Sequence, residues 1–343
     1  MNPSRRDFLR GSLAAAPLAM SPSRCGRTPA EVSPAVSATD TRFEAAYLRA
    51  EREGRLAIVE SELWEIFRSC RLCPRKCGAN RIKGETGVCS STARLKIASF
   101  GPHFGEERPL VGSAGSGTIF FSNCNLLCCF CQNWEINHRG DGSYATHDDL
   151  ADMMISLQRR GCHNINLVTP THVVPHIVRA LRLAIRRGLT VPLVYNNGGY
   201  DSLEVIRKLD GIVDIYLPDF KYQDGALASK YSSGASDYPE VAAATISEMN
   251  RQVGELQVDR HGVARRGLII RHLVMPDNIA GTDRFARWVA QTLTPTTAVN
   301  LMAQYRPEHK AFQHPEISRR ITSEEWQRAR AWAGEAGLKN VDL

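Results

Sequence analysis

Three cysteines of the stretch FFSNCNLLCCFCQN, residues 120–133, are spaced as ligands of a single metal centre. Cys124, Cys128 and Cys131 follow the pattern C-x3-C-x2-C, which supplies three thiolates from one tight loop. Because a cubane cluster has four irons, three cysteines leave one iron with an open coordination position, as a catalytic metal site needs and a structural one does not. Cys129, also in this loop, is either a substitute ligand or a small buried apolar residue, and the spacing favours packing.

Four cysteines upstream form a second candidate metal site. Their pattern is C-x2-C-x3-C-x11-C, with Gly and Pro between them that let the backbone fold around one centre, and they are Cys70, Cys73, Cys77 and Cys89. Four thiolates at this spacing suit tetrahedral zinc or an iron-sulfur cluster, and the sequence does not decide between the two. Two structural disulfides are the alternative, which export from the cell would permit.

Alternating strand-like and helix-like segments must position these cysteines. Six short β-branched or apolar runs span residues 117–122, 164–169, 191–196, 212–217, 267–274 and 298–303. Helix-like stretches lie between most of them, at residues 148–161, 174–188, 201–211 and 282–293, and the segment 43–69 is typical of one or two amphipathic helices. This alternation predicts parallel βα units, either in a closed or partial barrel or in an open doubly wound sheet.

Polar residues follow the carboxyl end of each predicted strand after the first. They are Thr169, Pro170, Thr171, His172, Asn196, Asn197, Gly198, Gly199, Asp219, Lys221, Arg271, His272, Gln304, Tyr305 and Arg306. In parallel α/β architectures ligands bind at that end, so together with the three cysteines these residues indicate one site built from six loops. Taken singly, each also fits a turn, a surface ion pair or a loop histidine bonded to backbone.

The motif C-x3-C-x-Phe-C at the end of the first strand of such a chain resembles the radical S-adenosylmethionine superfamily. The runs GPHFGEERPLVGSAGSGTIFFSNCNLLCCFCQN, TPTHVVPHI, YLPDFKY, IIRHLVMP and AQYRPEHKA resemble its pyruvate formate-lyase activating enzyme-like subgroup, over about residues 65–340. The resemblance implies an α/β fold with a partial (β/α)6 TIM-like barrel, here preceded by a helical and Cys-rich extension. It also implies a [4Fe-4S] cluster on Cys124, Cys128 and Cys131, with S-adenosylmethionine chelating the open iron.

The same resemblance suggests which residues bind S-adenosylmethionine. Asp219 and Lys221 match the Asp-x-Lys that contacts it in activating enzymes, and His272 lies where that subgroup uses a strand-five residue near the ligand. Many members carry Gly-Gly-Glu after the second strand, where this chain has Thr169 and Thr171, so these two threonines are replacement candidates for binding the ammonium group. Asn197 at the third strand is a further cofactor-binding candidate. The resemblance transfers no metal or role to the upstream cysteines.

The implied reaction is reductive cleavage of S-adenosylmethionine to methionine and a 5′-deoxyadenosyl radical, which abstracts hydrogen from an unactivated C–H bond. Its implied partners are a low-potential electron donor and, for an activating enzyme, a protein or peptide substrate with a target glycine. An iron-sulfur electron carrier or maturation scaffold without this cleavage is the alternative. A zinc-dependent nucleic-acid module built on the upstream cysteines is a third hypothesis, but no basic face with interleaved aromatics accompanies them.

Charge and hydropathy restrict the partners and the location. The net charge is +7, but residues 1–30 contain five Arg and one Asp, so the surplus on the remainder is too small to indicate a nucleic-acid partner. No apolar run approaches the roughly 20 residues of a membrane span, so we do not expect an integral membrane protein.

The first residues resemble an export signal. SRRDFLR, with Arg5 and Arg6 before a weakly apolar stretch, resembles a twin-arginine (Tat) signal, which predicts export as a folded protein to the periplasmic side, or a cytoplasmic location if the signal is not functional. The expected organisation is therefore a signal and linker at 1–41, a helical segment with the four-cysteine motif at 42–95, and the barrel at 96–343.

Overall fold

The computed structural model of the protein describes residues 43–341. The predicted twin-arginine signal and linker, residues 1–41, lie outside the described residues. No helix in the described part of the chain is long and apolar enough to cross a membrane.

One mixed sheet of nine strands forms the centre of the molecule. The strands are β1 (Lys96–His103), β2 (Ser116–Phe121), β3 (Ser143–Tyr144), β4 (Ile165–Val168), β5 (Leu193–Asn197), β6 (Ile215–Pro218), β7 (Gln257–Val258), β8 (Ala264–Leu273) and β9 (Ala298–Met302). The six predicted strands correspond to β2, β4, β5, β6, β8 and β9, which pair in parallel in this order. The antiparallel strands β1, β3 and β7 lie outside the predicted set.

The order of the parallel strands identifies the architecture. It follows the sequence without the reversal that defines a doubly wound sheet, so the barrel prediction is confirmed and the doubly wound alternative is wrong. Among the described strands no pairing joins β9 back to β1 or β2, so the barrel is partial.

Helices cover the outside of this sheet. They are α1 (Ala46–Arg52), α2 (Arg55–Ile66), α3 (Arg108–Val111), α4 (Trp134–Asn137), α5 (His147–Arg159), α6 (Val174–Arg186), α7 (Leu203–Lys208), α8 (Gly225–Tyr231), α9 (Tyr238–Val253), α10 (Thr282–Thr292) and α11 (Ser323–Glu335). The predicted helical stretches correspond to α1, α2, α5, α6, α7 and α10. A capping box at Thr146 fixes the start of α5, and a proline in the first turn starts α6.

Successive side chains of each strand point alternately toward the helices and toward the interior of the barrel. Ile119 and Phe121 of β2 belong to the large core under the helices, whereas Val194 and Ile215 belong to a second apolar cluster. Leu110 of α3 completes that second cluster, so the chain between β1 and β2 plugs one end of the barrel interior. We call this interior the lumen.

Candidate active site

The loop after β2 places three cysteine sulfurs on one cavity. Cys124, Cys128 and Cys131 line a cavity of about 230 Å³ at the carboxyl ends of the parallel strands. Each sulfur accepts a hydrogen bond: Cys124 Sγ from Leu126 N at 3.4 Å, Cys128 Sγ from Ser232 Oγ at 3.1 Å, and Cys131 Sγ from Asn137 Nδ2 at 3.2 Å. Hydrogen bonds to sulfur stabilise the thiolate form that metal binding requires.

Backbone geometry explains why Cys129 differs from its neighbours. Leu127 takes a positive φ of 54°, a conformation uncommon for a non-glycine residue, which turns the chain sharply before the adjacent cysteines. Cys129 does not line the cavity; its backbone N donates to Tyr231 O and its carbonyl accepts from Lys310 N, both at 2.8 Å. The loop is thereby held from behind while Cys128 faces the cavity.

The thiols of this loop are buried and protonated unless something replaces their protons. Burial raises the pKa of Cys124 to about 12, and burial also raises the pKa values of Cys128 and Cys131. A metal bound here would therefore have to displace protons from all three thiols.

The donor set matches a cluster better than a single ion. Within residues 43–341 no three or more His, Cys, Asp or Glu side chains gather closely enough to hold one ion. A four-iron cluster binds each thiolate at a different iron and does not need that closeness. Three hydrogen-bonded sulfurs beside a polar cavity therefore fit a cluster.

A buried charge network lies opposite the cysteines. Asp219 Oδ2 accepts from Lys221 Nζ at 2.6 Å, and Asp219 Oδ1 accepts from Arg271 Nε at 2.8 Å. Although burial raises the pKa of Asp219, the charges of Arg271 and Lys221 outweigh burial and hold it below its usual value. Asn196 Oδ1 accepts from Arg271 Nη2 at 2.6 Å, so the guanidinium is fixed from two sides. The cavity thus offers a fixed array of donors to an anionic group such as a carboxylate.

Four of the six predicted cofactor-binding residues line this cavity. They are Thr169, Asn197, Asp219 and Lys221. Thr169 has a positive φ of 61°, which is strained for a β-branched residue and is typical of functional sites. Asn197 Oδ1 accepts from Gly199 N at 2.8 Å and shapes the adjoining turn.

The structure does not bring His272 or Thr171 to the cavity, contrary to the expectation from the sequence. His272 is fully buried, with Nδ1 2.6 Å from Phe220 O and Nε2 2.9 Å from Thr282 Oγ1. Adjacent residues of a strand point to opposite faces, and Arg271 takes the face toward the cavity. Thr171 is buried in a single helical turn close to Asp201.

Several residues of the site escaped sequence reasoning. Arg271 was singled out only as one of many polar residues, although the alternation of β8 distinguishes it from its neighbour. Ser232 and Asn137, which donate to the cysteine sulfurs, carry no recognisable signal in the sequence. Glu106 is another such residue, and its side chain lies 3.6 Å from Arg271 Nη1.

The four upstream cysteines lie in a loop-rich segment between α2 and β1. Cys70 and Cys73 are buried, Cys77 is exposed and Cys89 is half-buried. Burial, and after it the neighbouring thiols Cys89 and Cys70, raise the pKa of Cys73 to about 12. A Cβ on Gly87 would stand 2.2 Å from Cys77 Sγ, so only glycine lets the loop that leads to Cys89 pass so close.

All nine described cysteines are free, so the disulfide alternative for the upstream set finds no support. A larger groove of about 780 Å³ runs along β1 beside α5, but it contains no cysteine and only two acidic side chains. The candidate metal ligands of the described residues therefore lie in the two cysteine regions rather than in this larger groove.

Comparison with known proteins gives one close relative in sequence. No family model matches the chain. A Methanocaldococcus jannaschii protein described as uncharacterized protein MJ0674 is 33% identical over 277 residues, covering 77% of this chain and 74% of that protein. This level of identity and coverage is enough to show a common family.

Solved structures are more distant. Methylornithine synthase (PylB) matches at a TM-score of 0.41 with 13% identity, covering 64% of this chain and 68% of that chain. HydG, a maturase of the [FeFe]-hydrogenase, matches at 0.45 with 10% identity, covering 63% of this chain and 48% of that chain. TYW1 with a lysine-pyruvate adduct bound matches at 0.39 with 12% identity, covering 64% and 73%. At these TM-scores the similarity carries no argument.

Proposed function

Since this chain belongs to the family of the Methanocaldococcus jannaschii protein MJ0674, whose description names no activity, we propose a function from the site itself. The proposal is a radical S-adenosylmethionine enzyme, which holds a [4Fe-4S] cluster on Cys124, Cys128 and Cys131 and cleaves S-adenosylmethionine reductively. The observation that carries it is the joint placement of these three hydrogen-bonded sulfurs and the Asp219 network on one cavity.

The chain's own residues would position the cosubstrate. Lys221 and Arg271 are held as cations by Asp219, so they present donors to the methionine carboxylate without a large rearrangement. The carboxylate of Asp219 and the oxygens near Thr169 and Asn197 are acceptors for the ammonium group. Because these groups are fixed before binding, little ordering entropy is lost when S-adenosylmethionine arrives.

The cluster, when bound, supplies the electron that breaks the sulfonium C–S bond. The barrel would have the remaining tasks, which are to hold the cosubstrate in place and to exclude water from it. An electron carrier needs neither a polar cavity nor a buried network of three charged side chains, which is why we favour the enzyme over that alternative.

Anaerobic reconstitution with iron and sulfide, followed by dithionite reduction, tests the proposal. The measured quantity is 5′-deoxyadenosine released from S-adenosylmethionine. We expect release by the wild type and by Cys129→Ala, and none by Cys128→Ala. A reducible cluster without release would favour the electron carrier, and release by Cys128→Ala would overturn the ligand assignment.

We also propose a metal centre on Cys70, Cys73, Cys77 and Cys89, zinc or a second iron-sulfur cluster, and we favour the cluster because the four sulfurs do not gather closely enough to hold a single ion. Four cysteines around a glycine-dependent close approach support it. Metal analysis of the reconstituted chain and of Cys73→Ala tests this point, because the variant should lose the zinc or part of the iron. Equal metal content in both proteins would contradict it.

The resemblance of the sequence supports finer proposals about partners and location. An activating-enzyme role predicts a glycine in a protein or peptide partner, and the cluster requires a low-potential electron donor. Arg5 and Arg6 support Tat-dependent export, which fractionation of cells carrying Arg5→Lys with Arg6→Lys would test. An unchanged distribution would exclude Tat export.

A further inference from the structure

The lumen below the cysteine cavity contains two carboxylates that the proposed function does not use. They are Glu106 and Glu107, carried by the chain segment between β1 and α3 that plugs the barrel. Glu106 lies beside Arg271, and neither carboxylate lines the cavity that the cysteines line. Polar groups buried this deeply are normally paired with a hydrogen-bond partner or a counterion.

Glu106 has only distant partners. Its side chain is 8% exposed; Oε2 lies 3.6 Å from Arg271 Nη1, and Oε1 lies 3.6 Å from His103 Nδ1. Both distances exceed those of a hydrogen bond, and Oε2 has no hydrogen-bond partner. The carboxylate is therefore buried with attractive charges nearby but without a donor in contact.

Glu107 is half satisfied. Its Oε1 accepts from Asn300 Nδ2 at 2.9 Å, while its Oε2 is buried without a partner. Asn300 pairs with Arg271 across β8 and β9, so both side chains lie on the same face of the sheet, toward the lumen. Glu107 is therefore held on the same inner face of the sheet as Arg271.

A residue of β4, on another side of the lumen, also has a buried acceptor atom without a donor. Asn166 of β4 is fully buried, its Nδ2 donates to Ser116 Oγ, and its Oδ1 has no partner. Asn166 pairs with Val194, a residue of the apolar cluster inside the barrel, so it faces the lumen as well. Three buried acceptor atoms of the lumen therefore lack a donor: Glu106 Oε2, Glu107 Oε2 and Asn166 Oδ1.

The buried charges also favour a cationic ligand. The lumen and the cavity above it contain the carboxyl groups of Asp219, Glu106 and Glu107 against the cations Lys221 and Arg271, and burial raises the pKa of Glu106 because the nearby charge of Arg271 does not fully compensate it. Buried charges that lack counterions are strongly unfavourable, and a cationic ligand would remove the imbalance. A protonated primary amine has three N–H donors and one positive charge, which matches three acceptors and one surplus carboxylate.

We propose that the lumen below Arg271 binds a protonated primary amine, with its ammonium group received by Glu106, Glu107 and Asn166. Resting on the proposed function, this amine is the group that anchors the substrate under the S-adenosylmethionine site. The ammonium belongs either to a free small amine or to a lysine side chain of a peptide, since both present the same donors.

Calorimetric titration of the reconstituted full chain, without reductant, tests the site directly. The probes are n-butylammonium, n-butanol and butyrate, which share a carbon chain and differ in charge. Two further probes are a blocked Gly-Gly-Lys-Gly-Gly peptide and its norleucine counterpart. We expect saturable binding of n-butylammonium, or of the lysine peptide if peptides are the source, and no binding of the neutral and anionic probes.

Single variants connect binding to the carboxylates. Glu106→Gln and Glu107→Gln should each weaken n-butylammonium binding at least about tenfold, because each removes a charge in contact with the ligand. Glu62→Gln is the matched control, since Glu62 pairs with Lys208 on an exposed surface. If a lumen variant fails to fold, the ranking of charged and uncharged probes on the wild type still decides.

The outcomes separate this inference from the proposed function, because binding is measured without cleavage. Absence of saturable amine binding, equal binding of butanol, or unchanged affinity in both lumen variants would overturn the inference. Amine binding by a protein that releases no 5′-deoxyadenosine would support the inference and sink the proposed function. Release without amine binding would do the reverse.

Discussion

The two cysteine regions share a ligand type but differ in their surroundings. The loop with Cys128 opens on a polar cavity bordered by strand ends, and its three sulfurs each accept a hydrogen bond. The upstream set around Cys73 lies among turns, with one member exposed, and the buried guanidinium of Arg81 beside Cys70 bonds to backbone carbonyls rather than to carboxylates. Cysteine spacing thus predicts a metal, whereas the neighbouring charges and open space indicate whether the metal can do chemistry.

One arginine joins the two regions. Arg75, from the upstream segment, donates through Nε to Asn125 O at 3.1 Å, through Nη2 to Ser232 O at 2.9 Å, and through Nη1 to Ser233 O at 2.7 Å. Ser232 in turn donates to Cys128 Sγ. The upstream segment therefore supports the geometry of the cavity loop. Variants in either region can test how far the two depend on each other.

Replacing one cysteine in each region should show the largest difference between the two regions. Cys128→Ala should reduce 5′-deoxyadenosine release to that of a protein-free control, with little change in melting temperature, because it removes a proposed cluster ligand. Cys73→Ala should lower the melting temperature and retain part of the release. Measuring both quantities on both variants checks the division of roles, and equal losses of release would abolish it.

Disrupting the charge network beside the cavity should lower the free energy of unfolding more than disrupting a surface ion pair. Asp219→Ala leaves Lys221 and Arg271 buried without their shared counterion, which should lower the free energy of unfolding by about 3–5 kcal/mol. Asp210→Ala, which removes a surface partner of Arg251, should change it by less than about 1 kcal/mol. Urea unfolding of the apoproteins measures both, and similar effects would mean that the network is solvated.

Arg75→Gln should have an intermediate effect, because it removes charged hydrogen bonds to carbonyls of the cavity loop. We expect a loss of about 2 kcal/mol in unfolding free energy and slower release of 5′-deoxyadenosine. Metal content at the upstream cysteines should stay as in the wild type. Unaltered release would show that the two regions act independently.

A pH-dependent contribution from His172 should be the smallest effect. His172 Nε2 lies 2.7 Å from Ser122 O, its carbonyl accepts from Arg81 Nη1, and burial followed by the charge of Arg81 lowers its pKa to about 3. The folded pKa is below the unfolded value of about 6.5, so its stabilisation is present above that pH and is lost as the pH falls toward 3.

The wild type should therefore lose about 2 kcal/mol relative to His172→Gln between about pH 6.5 and pH 5. The measured quantity is the difference in unfolding free energy between the two proteins. Burial raises the pKa of Asp214 to about 7, so this group makes both proteins more stable as the pH falls, and its effect cancels in the difference. Denaturant unfolding at the two pH values measures it. Parallel stability curves for the two proteins would contradict a neutral buried His172.

Much of the fold is predictable because each βα unit carries its own pattern. Apolar runs and capped helices are local features, and the six parallel strands follow from them. β1 was missed because its sequence KIASFGPH contains Gly and Pro and is half-exposed. α9 was missed because its alanine-rich face lacks strong periodicity, and its actual start is fixed by a proline in the first turn.

The site is predictable only where its residues are close in sequence. The spacing of Cys124, Cys128 and Cys131 is local, and the pair Asp219 and Lys221 is local as well. Which of Arg271 and His272 faces the cavity depends on strand register, which no residue type reveals. Glu106 meets Arg271 only through the path of the plug segment, so tertiary structure was needed to find that contact.

The hydrogen bonds of Arg75 also determine when the cavity can form during synthesis. Arg75 and Ser232 are 157 residues apart in the chain, and the cavity also needs Gln304, after the last parallel strand. On the ribosome, the loop with Cys128 emerges long before these partners do. The proposed cluster could therefore reach its final geometry only after nearly the whole chain has been translated, and a nascent chain that lacks these partners would leave the thiols without their hydrogen bonds.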